Sequence, residues 1–577
     1  MGTAGNRPGY KVFSINTTIR NPKRNRDFLI HLLPYKDRVM DLNLANDYFR
    51  DCLRDGTYTV MDVSQKVLNK LANNQDLAPE EVEKLVLDNP QACGTQGRVM
   101  TQLRALKDEG FLWFEGERSP QIHITQLGDE LISNKIDSTI IYTKAMLGLQ
   151  ANNPGRSAMY NKSRPFLNTL FVLKELKEQW TPTYERESKG IHLYEFAAFV
   201  LSMKDCDYKR AATAIINYRL NVKEKHKTYH YEDMDLINNH LKSLELLPVK
   251  ADTLDAYADD VFRKFEMTGL VYKRGGAHKL SYMDYAPGNC AKIDIILEKF
   301  ADYKYRRFVT PKEYADSMDA IDLPWLNNET LRWRIVRDRA QTLNFTLDAS
   351  WTLDYCEIIL DRLSSQSALE KAKEKYSLED INHELLILAK HSKDKHKKEF
   401  EGLPDSLLLE YLIALMVARQ YGTEGLISNI LYTPDGQPLS CASGGKADII
   451  YHHKDGSYIF EPTMLSSRDQ QLNSETMNIA RHAKTEMREY TDSEFRVMMV
   501  APKVHTDVAL MYYLMYTSEQ VKMLPTTIDR ILFLVNKSQT ISNLNSNFDL
   551  DLDSMRESKD EYVENVNSYR FQLSSIN

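Results

Sequence analysis

The chain has 577 residues, of which 42% are hydrophobic and 27% charged, with a net charge of −7. This is ordinary for a globular protein of about three domains, and it argues against a uniformly basic nucleic-acid binder while leaving room for a local basic face. Six scattered cysteines without a CxxC pair point to reduced thiols, not to disulfides or a zinc knuckle; with no apolar leader and no membrane-length apolar run, a cytoplasmic chain without a membrane partner is expected.

The first informative stretch runs from Ile15 to Leu29, where Arg20, Lys23, Arg24 and Arg26 cluster beside Thr17, Thr18 and Asn21. Short hydroxyl and amide groups among arginines suit phosphate contact and base-edge reading; a solvated basic turn before a helix fits them too. Residues 98–108 have helical periodicity, with Val99, Leu103 and Leu106 on one face, and Gly110 ends the helix. Phe111–Phe114 and Gln121–Ile124 read as strands around a loop, and Thr125 opens another helix. This is a winged-helix layout. It returns 159 residues later, where Phe262–Phe265, Gly269–Tyr272 and Gly275 match Leu103–Leu106, Gly110–Trp113 and Gly116. A helix presenting arginine and glutamine can enter a major groove. Arg98, Gln102 and Arg104 in the first copy, with Arg263, Lys264, Lys273 and Arg274 in the second, are therefore expected at DNA. Protein–protein scaffolding is the other use of such modules.

Between the copies, Ile191–Leu201 and Tyr208–Leu220 read as a helix-turn-helix-like pair. Residues 290–400 read as mostly helical, and the run Lys390–Lys398 as a solvated, mostly basic linker. From Leu403 the composition changes. Ser406–Gln420 is apolar nearly all round, hence a buried helix, and carries one acid, Glu410.

Residues 444–463 read as a β-hairpin turning at Lys454-Asp455-Gly456. A four-residue loop, His453–Gly456, sets His452 opposite Ser457, Ile450 opposite Ile459 and Asp448 opposite Glu461, with β-carbons roughly 4.5–5.5 Å apart. Two carboxylates so placed repel unless a cation lies between them, and an oxygen-preferring ion such as Mg²⁺ suits them. Glu410 could add a ligand and Glu475, on a polar helix over 471–490 with Arg481 and His482, could hold a water or a second ion. Each acid could instead serve a buried salt bridge or a strand end. Pro462 implies an edge strand or a bulge, since it cannot donate to a ladder. A buried strand at Phe495–Val500, a helix at Asp507–Tyr516 and an apolar segment at Ile528–Val535 complete an α-β-β-α-β core. The acidic tail from Asn543 reads as a surface helix or as partly unstructured. His383-Glu384 lacks the second histidine of a zinc motif, and Gly444-Gly-Lys446 lacks the remaining residues of a phosphate loop.

Asp448, followed after 13 residues by Glu461-Pro462-Thr463, resembles the PD-(D/E)xK nuclease pattern, with threonine where the lysine stands. Together with Asn16-Thr-Thr-Ile-Arg-Asn-Pro-Lys-Arg24, Asp27–Leu29, Arg164–Leu170 and Tyr194–Ser202, these residues resemble the AlwI family of type IIS restriction endonucleases, which includes nicking relatives. The resemblance implies a multidomain α+β chain. It implies that residues 1–300 form a recognition region with winged-helix-like modules at about 85–135 and 250–300, 301–398 a helical linker, and 399–577 a PD-(D/E)xK α/β nuclease domain. It also implies Mg²⁺ on Asp448 and Glu461, assistance from Glu410 and Glu475, and a tolerated Thr463. The expected activity is hydrolysis of double-stranded DNA a few bases outside a short asymmetric site, on one strand or both. A homodimer or a small nuclease subunit would serve double-strand cleavage, and a cognate methyltransferase would complete the system. The alternative is a non-enzymatic winged-helix DNA-binding regulator with a degenerate nuclease fold.

Overall fold

The computed structural model describes residues 14–572 except 59, 61–62, 65–66, 68–69, 72–75, 90–95, 117–118, 155, 157–159, 185–189, 227–231, 275–281, 391–393, 398, 401–402, 434–435, 442–446 and 490–493. The side chains of 96–98, 180–184, 274, 440–441, 469, 473–475 and 489 also lie outside the description. The chain forms two compact units, Met1–Cys52 with Val86–Leu353 and Leu53–Leu85 with Asp354–Asn577.

The first unit contains the repeat that the sequence spells out. A helix, Gln96–Asp108, leads into antiparallel strands β1 (Leu112–Glu115) and β2 (Gln121–Ile124) and a helix, Gln126–Ser133. The second copy runs through a helix, Ala251–Glu266, strands β4 (Val271–Arg274) and β5 (Tyr282–Tyr285), and a helix, Cys290–Lys299. Its sheet gains a third, short strand, β3 (Ile191–His192), which pairs with β5. Gly110 and Gly269 sit at the helix-to-strand reversals with φ of +83° and +67°, a backbone state that side chains disfavour. Leu103 and Leu106 in one copy, and Phe262 and Phe265 in the other, are buried at matching positions.

The helix expected over Ile191–Leu201 begins two residues later, because His192 belongs to β3 and caps the helix that follows. The turn Leu193–Glu195 then widens into a π-helix, Phe196–Leu201. Glu195 is fixed by a bidentate pair with Arg219, both contacts at 2.8 Å, and Arg219 also donates to the Gly190 carbonyl at 2.6 Å. Both side chains are almost wholly buried, so the charges compensate each other out of water.

A second buried pair ties the repeat copies together. Lys264, with no solvent exposure, contacts the carboxylate of Glu109 and donates to the Ile19 carbonyl at 3.3 Å, and Asn25 donates to the other Glu109 oxygen at 2.8 Å. One network thus joins both copies to the arginine-rich segment near the N-terminus.

The second unit is built on a five-stranded sheet in the order β12-β11-β10-β9-β6. Strands β6 (Leu426–Ser428), β9 (Ile449–Tyr451) and β10 (Ser457–Pro462) are antiparallel neighbours; β11 (Phe495–Ala501) and β12 (Lys522–Thr527) continue from β10 in parallel. A separate pair, β7 (Ile430–Tyr432) and β8 (Pro438–Cys441), lies beside it in sequence. Parallel neighbours need crossover helices, supplied by Met477–Glu489 and Thr506–Glu519. The helix Asp405–Tyr421 is buried from Leu407 to Ala418, as its all-round apolar character demands. The apolar segment Ile528–Val535 is helical and is preceded by β12, which the sequence reading did not assign. Pro525 is tolerated in β12 because the strand is at the sheet edge. The C-terminal tail forms two helices, Ile541–Glu557 and Lys559–Ser568, that bury Leu544, Phe548, Met555 and Tyr562.

The basic run at 390–398 is not simply solvated. Glu384, 1% exposed, accepts from the His396 ring at 2.6 Å and from the Lys397 backbone at 3.0 Å. His383 pairs with Asp394 at 2.8 Å, and Lys397 with Asp380 at 2.5 Å.

Glu109→Ala strands the Lys264 ammonium in the interior and should cost about 3–5 kcal/mol, read as a lower urea midpoint. His240 gives a pH signature. Burial, aided by the nearby Arg210 charge, pulls its imidazole down to about 4. The folded chain therefore resists a proton that the unfolded chain accepts near 6.5, and stability contributed here is complete above that pH and lost as pH falls toward 4. His240→Phe should flatten this part of the urea-midpoint-against-pH curve.

Candidate active site

The β9–β10 register is the one that the four-residue turn dictates. Tyr451 pairs with Tyr458, Ile450 with Ile459 and Ile449 with Phe460, so the next step sets Asp448 opposite Glu461. Gly456 closes the turn by donating to the His453 carbonyl at 3.0 Å. Asp448 lies one residue before β9, its carbonyl accepting from the Asn429 N–H at 2.8 Å, which keeps it in line with the strand. Asp448 is half-buried, whereas Glu461 is only 4% exposed.

Pro462 does not mark an edge strand: β10 is the central strand of the five. The reason lies in the alternation of backbone groups. Thr463 donates to the Val500 carbonyl at 2.8 Å, so odd-numbered residues of β10 direct their N–H toward β11 and even-numbered ones toward β9. The donor that proline lacks would face β9 beyond Ile449, where that ladder has ended. Thr463 is buried, and its hydroxyl accepts from the Leu465 N–H at 3.2 Å, capping the chain as it leaves the strand.

The second acid has a partner that the sequence reading noted but gave no role. His482, on the crossover helix Met477–Glu489, places Nδ1 2.9 Å from Glu461 Oε1, with the imidazole largely buried. Glu410 lies in the buried helix Asp405–Tyr421; it is itself 9% exposed, and its charge adds to burial in raising the Tyr432 phenol. Glu475 belongs to a π-helical turn, Gln471–Thr476, but its side chain lies outside the described residues. Among the described residues no three His, Cys, Asp or Glu side chains are grouped so as to hold a metal ion. The chemistry of the facing pair, carboxylate oxygens from adjacent strands, nevertheless fits a hard divalent cation.

The DNA-contact candidates separate by exposure. Arg20 is 80% exposed, 3.9 Å from Asp260. Lys23 and Arg24 close the short 3₁₀ turn Pro22–Arg24, Arg24 lying over the Phe28 ring, and Arg26 donates to the Ile132 carbonyl at 3.2 Å. Arg104 is exposed, and Arg263 and Lys273 share Asp259, at 2.5 and 3.3 Å. Two expectations need correction. Gln102 is buried, and Lys264 is the wholly buried partner of Glu109, so both face the interior of the unit and not its surface. The side chains of Arg98 and Arg274 lie outside the described residues. The first copy carries an acidic, aromatic strand face: His123 stacks on Trp113 at 4.0 Å and contacts Asp37 at 2.6 Å and Glu115 at 3.4 Å.

The family model of the AlwI restriction endonuclease matches residues 110–534, well over half of the chain. No curated protein matches. Among solved structures, the small subunit (R.BspD6I2) of the heterodimeric restriction endonuclease R.BspD6I is 14% identical, with 32% of this chain and 97% of that chain covered and a TM-score of 0.27. Restriction endonuclease FokI is 10% identical over 94% of this chain and 99% of its own, with a TM-score of 0.24; its DNA-bound form gives 11%, 89%, 93% and 0.20. Likenesses this slight carry no weight beside the family match. The extent of that match makes this chain a member of the AlwI restriction endonuclease family.

Proposed function

We propose that this type IIS restriction endonuclease hydrolyses DNA phosphodiesters at the carboxyl end of its hairpin, a few bases outside a short asymmetric site read by the first unit. The observation that carries this reading is the β9–β10 register, which brings Asp448 level with the buried Glu461. These two acids are the proposed Mg²⁺ ligands, with Glu410 and Glu475 assisting. Bound there, the ion would polarise the phosphodiester and lower the pKa of an attacking water.

The residues of the chain supply the rest. Glu461 is held in place by the His482 contact and by its position in a central strand, which costs the site little reorganisation. Thr463 brings no charge to the lysine position of the PD-(D/E)xK pattern. His482 stands on Glu461 itself and can take or give a proton there, the role in which an imidazole works best near neutral pH. The two repeat copies are proposed as winged-helix modules, with Arg20, Lys23, Arg24, Arg26, Arg104, Arg263 and Lys273 toward the DNA. Cutting both strands with one site per chain requires a second nuclease domain, from a homodimer or a small partner subunit; without one the product is a nick. A cognate methyltransferase would protect the host site. The rival regulator reading loses to the family match, which describes an endonuclease.

Asp448→Ala and Glu461→Ala should each abolish plasmid cleavage in Mg²⁺ while leaving site-specific binding intact, and EDTA should stop the wild type. A variant cutting at the normal rate would remove its residue from the site. His482→Ala should lower the single-turnover rate about 10²–10⁴-fold and change its pH profile. A separate readout is stability without metal. Asp448→Asn relieves the facing charges and should raise stability in EDTA by roughly 1 kcal/mol, read as a higher thermal midpoint, while losing the stabilisation that Mg²⁺ gives the wild type.

A further inference from the structure

The sheet face that carries Asp448 and Glu461 at one end carries a cleft of about 460 Å³ at the other. Side chains alternate along a strand, so Asp448, Ile450 and His452 share one face, and pairing across to β6 brings Ile427 and Gly425 onto it. His452 and Ile427 line the cleft, and the long helix Leu353–Lys375 adds Arg362 and Gln366 from one of its faces. His453 and Lys454, at the hairpin turn, complete the rim. At Gly425 the lining is bare backbone. Gly425 has φ +81° and accepts from the His452 N–H at 2.9 Å, and a Cβ there would fall 2.1 Å from the His452 carbonyl oxygen.

None of the described residues lining the cleft is acidic, while two, Arg362 and Lys454, are basic and two are imidazoles. Of the acids next to the cleft, Asp455 on the turn lies 3.7 Å from His453 and accepts from Ser542 at 3.3 Å, while Glu424 and Asp361 adjoin Gly425 and Arg362 in sequence without lining it. His452 contacts the Ser457 hydroxyl at 3.3 Å; burial, with the Arg362 charge, pulls its imidazole down to about 4, so at neutral pH it is an uncharged hydrogen-bonding group. A concave site of this composition selects a compact anion with several acceptor oxygens. Four residues of strand separate Asp448 from His452, a distance of about 13 Å. Ile450 and Ile459, which lie between the two on this face, are buried in the core, so the cleft and the acids open separately.

We propose that the cleft bounded by Arg362, His452 and Lys454 binds a phosphate group, that of a DNA backbone, at a point apart from the two acids. The inference rests on the endonuclease reading above. Its test uses the full chain and the variant Arg362→Gln/Lys454→Gln, with equal thermal midpoints as the control for folding. Affinity for a cleavable duplex is measured in EDTA over a range of salt. The wild type should show a slope of log K against log salt steeper by about 1–2 than the variant, the loss of one or two phosphate contacts. In a second arm, orthophosphate is titrated into histidine-labelled protein; the His452 and His453 signals should shift saturably in the wild type and not in the variant. A phosphate response with equal slopes would overturn DNA contact and identify a free-phosphate or nucleotide pocket. No response in either arm would remove the site altogether. Absence of Mg²⁺-dependent cleavage by the wild type would defeat the endonuclease reading instead, since neither arm here depends on cutting.

Discussion

Two carboxyl groups set level on adjacent strands are the constraint around which the second unit is arranged. The pairing of Ile449 with Phe460 leaves Asp448 and Glu461 no choice of face, and Glu461 is then almost removed from water. A fold selected for stability alone would put a neutral or opposite charge at one of these positions. Instead the central strand is wedged between two neighbours, a histidine from a crossover helix is brought onto the buried acid, and an apolar helix seals the domain from Leu407 to Ala418. Any stability that such a pair forfeits is offset by this surrounding core, the usual relation between a proposed site and its scaffold.

The first unit answers a different constraint. Its two copies share one pattern, yet they meet through residues that break the repeat. By the 159-residue offset, Lys264 corresponds to Ala105 and Glu109 to Thr268. A positive group on one copy and a negative one on the other make the halves complementary where identical halves would not be. Asn25 and the Ile19 carbonyl complete the pair, so the segment bearing Arg20, Lys23, Arg24 and Arg26 is placed by the same contact that joins the copies. Arg26 is also fixed from the first copy by the Ile132 carbonyl.

The hairpin was legible because its register follows from a short turn and a period of two, both local. The repeat was legible because glycines and apolar residues recur at one offset. What escaped was tertiary. Whether Lys264 faces water or the other copy depends on how the two copies dock, which a helical period cannot state. His482 reaches Glu461 across a crossover, and no spacing rule links a helix residue to a strand residue in that way. The strand Lys522–Thr527 was hidden by Pro525, whose meaning changes with edge or centre. Pro462 shows the same ambiguity in reverse: it sits in the central strand because its neighbour's ladder stops short of it. The basic run near Lys397 looked like a linker because the buried Glu384 that holds it lies on the preceding helix.

Pro462 also acts as a stop against misalignment. Sliding β9 along β10 by one pleat would preserve the inward-facing residues and so would not be resisted by the hydrophobic pattern. That slide would set Ile449 against Pro462 and Asp448 against Thr463. Ile449 would then find no N–H where Phe460 now supplies one. The chain thus penalises the very slippage that would part its two acids, using a residue that contributes no side-chain chemistry of its own.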